Sequence, residues 1–205
     1  MSRALRSCLV LCLGLSAAPA LAAGGSGVDL TLHYGGDKYD AVGLRSGLGG
    51  VRSSGRLQDT STSAGATVIL RGGMGEIGVI GEIGRPGQDG STSLLGALLG
   101  VGFDTGPLRL ELLGELGAHR YGDLLRDSAV LTRSHKELWL VSAGVRPGLS
   151  IRFGPNDMLL LGIWTFARWD VTSRDVRVTL ASDGDSTYRL GGAQYGAAVR
   201  AGFSL

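Results

Sequence analysis

His33, His119 and His135 are the only histidines in a chain of 205 residues. An imidazole set beside a hydroxyl or a carboxylate is the usual apparatus of nucleophilic and acid–base chemistry. Tyr121 and Asp123 lie close to His119 in sequence, and Ser134 directly precedes His135. Such chemistry needs a nucleophile held against the ring and a third group holding the ring. The spacing supplies neither. Ser134 and His135 are neighbours, which on an extended chain point opposite ways, and nothing in the sequence fixes a nucleophile beside His33 or His119. Two other stretches are equally bland. "SDGDST", residues 182–187, lacks the further oxygen ligands of a calcium loop. "GEIGVIGEIG", residues 75–84, has glycine at every third position, but a phosphate cradle needs a following helix and a solenoid needs more repeats. No catalytic residue, metal site or cofactor is expected.

The abundant chemistry is ionic. In "PLRLELLGELGA", residues 107–118, Leu108, Leu110, Leu112 and Leu116 share one parity while Arg109, Glu111 and Glu115 share the other. Alternation at period two describes a strand with two unlike faces. The same pattern places Arg71, Glu76, Glu82, Arg146, Arg152, Arg168 and Arg200 on the polar parity of other apolar stretches. Strands are expected at 28–36, 65–72, 75–84, 92–104, 107–118, 137–153, 158–170 and 190–205. No amphipathic helix stands out.

The connections between these strands are sorted by length. Tight turns near Gly73, at Asp104 to Gly106 and at Gly154 to Asn156–Asp157 alternate with longer polar segments, of which 37–64, 119–136 and 171–189 are the longest. Short turns at one end and long loops at the other are the plan of an all-β, eight-stranded, antiparallel, up-and-down transmembrane β-barrel. One face of each strand is aliphatic and the other is glycine, serine and charge. Lipid covers the first face, because a closed barrel satisfies its backbone internally. The ten charges then point inward, where a barrel of eight strands is filled by side chains and where ions must pair or keep water. Inward glycines leave room for long Arg and Glu side chains. A plugged, ion-paired lumen is expected, with aromatic girdles formed by Tyr34, Trp139 and Trp169 at the loop end and Phe103, Phe153 and Phe203 at the turn end.

The N-terminus sets the compartment. Arg3 and Arg6, the apolar run from Cys8 to Leu15 and the sequence Ala20-Leu21-Ala22 form the three parts of a secretory signal, with residues 1–22 removed and 23–205 left as one barrel domain. Both cysteines leave with the signal, so no disulfide or thiolate site is expected. Removing Arg3 and Arg6 from 20 basic residues leaves 18 against 18 acidic ones, a balance that argues against nucleic acid as a partner. Glycine is abundant at 36 residues, but without a three-residue period and with five prolines it does not describe collagen.

Loop asymmetry and dyad patterning over the mature chain resemble the small eight-stranded outer-membrane barrels of the OmpA/OmpX type. The resemblance implies a bacterial outer-membrane location, outer-membrane lipids and the barrel-assembly machinery as partners, and a monomer. Such families end in an aromatic residue; "YGAAVRAGFSL" ends in Leu205 with Phe203 two positions earlier and keeps the apolar alternation. The expected function is a noncatalytic envelope protein, with an unidentified surface partner for loops 37–64, 119–136 and 171–189. The alternatives are a lipid-modifying enzyme at the rim, near His33 and His119, and a narrow channel for small solutes.

Overall fold

A computed structural model describes residues 26–39, 60–86, 91–122, 131–133, 137–172, 174–180, 184–190 and 192–205. The predicted signal segment, Asp123, Ser134, His135 and residues 182 and 183 lie outside the described residues. Among these residues there are eleven strands: β1 Gly27–Tyr39, β2 Thr60–Gly72, β3 Gly75–Pro86, β4 Ser91–Thr105, β5 Leu108–Gly122, β6 Leu131–Arg133, β7 Glu137–Phe153, β8 Leu159–Asp170, β9 Arg174–Leu180, β10 Gly184–Leu190 and β11 Ala193–Ser204.

Eight of them, β1, β2, β3, β4, β5, β7, β8 and β11, close into an antiparallel barrel in which each pairs with its neighbours in the barrel order. β1 pairs with both β2 and β11, so no edge is left open in this sheet. Closure is completed where Val28 and Leu205 exchange backbone hydrogen bonds of 2.8 and 2.9 Å. Among the described residues no helix is long and apolar enough to cross a membrane.

The tight connections all lie at the end where β1 begins and β11 stops. β2 and β3 are joined through Gly73 and Met74, and β4 and β5 through Gly106 and Pro107. Gly73 (φ 60°) and Gly106 (φ 63°) adopt the left-handed backbone that two-residue hairpins demand. The β7–β8 turn spends the same conformation on Asn156 (φ 53°), a residue that tolerates it.

Three findings modify the expected strands. β1 runs on to Tyr39 and β2 already begins at Thr60, so both ends of the expected 37–64 loop belong to the wall. β5 runs on to Gly122, because the alternation persists through "AHRYG"; His119 and Tyr121 therefore belong to the wall and face inward. The segments expected as the 119–136 and 171–189 loops contain β6, β9 and β10, which form a separate three-stranded sheet in the order β10-β9-β6. Its strands are only three to seven residues long.

The barrel is staggered. Following directly paired residues around the wall from Asp29, by way of Ile69, Glu115 and Arg168, leads back to Tyr39, ten residues further along β1. Such a shear tilts the strands by about 35–45° from the barrel axis. The ladder therefore drifts by a little over one residue per strand relative to the barrel axis. Side chains meet inside with neighbours at their own height, which are not always their ladder partners.

Faces follow parity throughout. β5 alternates exposed and buried from Leu108 to Leu116, and β2 does so from Val68 to Arg71. Leu32, Leu99, Ile83 and Leu95 are 67–70 % exposed on the outer face. Their inward counterparts Leu94, Leu98, Ile80 and Leu113 are at most 4 % exposed. Pro147 is the one residue of β7 that cannot donate to a ladder, and the pairing with β8 skips it together with Arg146.

Candidate functional site

Inward parity gathers the ionisable side chains into tiers along the barrel axis. Nearest the tight turns, the Arg71 guanidinium lies 3.0 Å from Asp29 and donates to Ser204 at 2.7 Å. Arg152 stands 3.9 Å from Asp29 and 3.4 Å from Asp104. Arg109 donates to Asp104 at 2.7 Å and, through Nε at 2.8 Å and again through Nη2, to Glu76.

Above this tier the bore is crossed by Glu111, Arg200 and Trp164. The Trp164 indole N–H donates to Glu111, and Arg200 lies 2.6 Å from the same carboxylate. The Trp164 ring also faces two cations, with Arg200 4.3 Å and Arg146 5.2 Å from its centroid. A desolvated guanidinium over an indole gains about 2 kcal/mol or more, so the ring adds to what the carboxylates supply.

The next tier is a closed square of charge. Arg146 donates to Glu115 at 2.6 Å and to Glu82 at 2.8 Å. Arg168 donates to Glu115 at 2.5 Å and to Glu82 at 2.7 Å. Two cations and two anions from β3, β5, β7 and β8 thus neutralise one another. Buried charge is tolerable only on such terms. His33 Nε2 adds a contact to Glu82 at 3.1 Å, and Gln194 accepts from Arg168 at 3.1 Å.

At the loop end the groups are milder. Tyr121 donates to Asp170 at 2.6 Å, and His119 Nδ1 lies 3.3 Å from the other oxygen of that carboxylate. Ser61 donates to Asp37 at 2.5 Å, and Gln194 donates to the same carboxylate. The rim imidazole thus has an orienting carboxylate, yet no serine or threonine hydroxyl is described in contact with it. His33 lies a tier lower, against Trp164 with ring centroids 5.6 Å apart, so the two histidines of the rim-enzyme alternative contact different carboxylates. Among the described residues no group of three or more His, Cys, Asp and Glu is arranged to hold a metal ion.

Glycines let these side chains reach one another. A Cβ on Gly102 would strike both Glu76 and Arg109, and one on Gly148 would strike both Trp164 and Glu111. Each stands on the strand between the partners and leaves a passage across it. Between the charges an apolar cluster fills the inside of the wall: Ile69, Ile80, Leu94, Leu98, Leu113 and Trp164, from β2 to β5 and β8.

All ten charges singled out from sequence lie on the inner face, and each has an oppositely charged partner there. Asp29, Asp37, Asp104, Asp170, Gln194 and Trp164 complete these clusters and were not singled out. Parity was the available signal for Asp29, which shares the phase of His33 on β1, and for Trp164, which shares that of Arg168 on β8. On the outer face the six aromatics are 44–60 % exposed, and Tyr195 joins them at 51 %.

Eight strands, closed, with this stagger and an inner face of ion pairs can be compared with known structures. Neisserial surface protein A matches over 86 % of this chain and 96 % of its own, at 14 % identity and a TM-score of 0.52. The N-terminal β-barrel domain of Pseudomonas aeruginosa OprF matches over 86 % of this chain and 97 % of its own, at 12 % identity and the same TM-score. The chain has the fold of the small eight-stranded outer-membrane barrels. No protein-family model matches it, and no curated protein sequence does. The likeness is therefore one of architecture, and the small barrel's individual character rests on its own side chains.

Proposed function

We propose that this chain is a noncatalytic outer-membrane barrel whose lumen is closed by ion pairs, and that it serves the envelope as a structural element presenting its outer loops to surface partners. The observation that carries this reading is the four-residue cluster of Arg146, Arg168, Glu82 and Glu115, which spans the bore from four strands and leaves no net charge to attract an ion. The aliphatic outer face supports a lipid environment, since no protein layer is needed to cover it. The exposed aromatics at both ends fit interfacial girdles. Delivery by the segment 1–22, folding by the barrel-assembly machinery and a monomeric state belong to the same proposal, with the long connections between β1 and β2, between β5 and β7 and between β8 and β11 as the segments offered to partners.

The test is conductance in planar bilayers together with fractionation of cells. Protein recovered from the outer membrane, with a heat-dependent gel shift and little steady conductance, is the expected result. A large and stable conductance would replace the closed barrel with the channel alternative. The rim hydrolase is disfavoured because no serine or threonine hydroxyl is described beside the His119–Asp170 pair, and the Tyr121 hydroxyl there is donated to Asp170.

A further inference from the structure

We infer that the outer wall at the loop end holds a phosphate-bearing lipid headgroup between Lys38 of β1 and Arg85 of β3, over Thr60 and Thr62 of β2. This goes beyond the proposed function and rests only on its placement of the barrel in a bilayer. Charge on the outer face is one-sided. Among the side chains described, those of outward parity in the wall include no aspartate or glutamate, and the cations of that parity are Lys38, Arg85 and Arg120, all at the loop end. At the turn end the outward positions are apolar, as at Leu70, Phe103, Leu108, Phe153 and Phe203. Lys38 and Arg85 are exposed. Among the described residues neither has a carboxylate beside it, whereas each lumen arginine has one.

The two cations flank one strand. Lys38 is the Cα partner of Thr60 and Arg85 that of Thr62, and both threonines are exposed on the same face of β2. One intervening strand and a two-residue offset put the two Cα atoms about 12 Å apart, a span that two long side chains close from either side onto one phosphate. An ammonium, a guanidinium and two hydroxyls are the donors that phosphate oxygens take. Gly36, the Cα partner of Thr62 on β1, leaves a recess beside them, since a Cβ there would meet only the Ser61 carbonyl, at 3.7 Å. The depth is that of a headgroup. Tyr195 is the Cα partner of Lys38, and Tyr34 stands two outward positions below it; both rings are more than half exposed, as interfacial tyrosines are. Acyl chains of the bound molecule then lie against the aliphatic wall beneath, which a free phosphate cannot use. Arg120, on the far side of β4 from Arg85, is half-buried, and its guanidinium lies back over Gly122 of its own strand, where it already has a partner. It is therefore left out of the pair.

The protein, folded in a neutral detergent, is offered phosphatidic acid and phosphatidylcholine with the same acyl chains, and the lipids it retains are counted by native mass spectrometry. The heat-dependent gel shift reports that each variant is folded. Wild type is expected to retain one phosphatidic acid about tenfold in preference to phosphatidylcholine. No preference in the folded protein overturns the inference and leaves the closed barrel standing, whereas a wild type without the gel shift overturns the barrel reading beneath it. Lys38→Gln with Arg85→Gln should abolish the preference, and Lys38→Arg with Arg85→Lys should keep it. A preference that survives in the folded double glutamine variant overturns the site, as does one lost equally in Arg120→Gln. Loss in the charge-conserving variant as well overturns charge as its basis. Inorganic phosphate in large excess should leave the bound lipid in place, and its displacement overturns the lipid as occupant.

Discussion

Arg71 and Glu76 are ladder partners across the β2–β3 hairpin, opposite in charge and both turned inward, and neither uses the other. Arg71 turns back to Asp29 on β1, while Glu76 takes Arg109 from β5, two strands away. Two glycines explain the exchange. Gly27 leaves the space into which the Arg71 guanidinium swings, and Gly102 leaves the passage through which Arg109 crosses β4. The pairing inside the barrel is set by height and by open passages, and only secondarily by proximity along the hairpin.

Filling a passage should therefore cost stability. Gly148→Ala places a methyl against Trp164 and Glu111, and Gly102→Ala places one against Arg109 and Glu76. Each should destabilise by about 1–3 kcal/mol in urea titrations of the protein folded into lipid. Gly81→Ala, where no atom lies within 4 Å of the added carbon, should be nearly neutral. Equal costs at Gly81 and Gly148 would contradict the account.

Removing one member of the central square should leave a buried charge short of partners. Arg146→Ala is expected to cost about 3–5 kcal/mol. Arg146→Ala and Glu115→Ala should each also raise conductance in planar bilayers above the wild-type level. Variants that remain as silent and as stable as wild type would remove these residues as the fastening of the bore.

The outer face should reject charge according to depth. Leu99 and Ile163, exposed outward near the middles of β4 and β8, should each lose about 2–4 kcal/mol on substitution by arginine, whereas Thr60→Arg at the loop end should lose about 0–1 kcal/mol. Refolding into phosphatidylcholine vesicles over a urea series measures both. A penalty at Thr60 equal to that at Leu99 would argue against the membrane band.

Orientation is checked by labelling. Cysteine at Ser54 or Asp183, in the long-loop segments, should react with an impermeant maleimide on intact cells. Cysteine at Asn156, in the β7–β8 turn, should react only after the outer membrane is opened. Labelling of all three from outside would reverse the proposed topology.

The period-two alternation made the eight wall strands legible in sequence, because a one-residue phase error would have sent Leu99 inward and Leu98 outward. It also separated inner from outer charges, since parity is a local property of each strand. Partnership was not legible in the same way. That Arg168 meets Glu82 and Glu115 depends on the stagger accumulated around the closed wall, which no single strand encodes. The β6–β9–β10 sheet was missed for a related reason: strands of three to seven residues are too short to establish a period.

The ten-residue stagger also decides which insertions and deletions the gene could accept. Residues added to the long connections change no height within the wall and leave every ionic partner where it was. Two residues added inside a strand would keep its leucines facing outward, so by hydropathy the altered chain would look unharmed. Its charges, however, would be displaced by about 6.7 Å relative to the other strands, and acids would meet acids. The wall behaves as a combination lock with eight dials, on which parity alone is the wrong number.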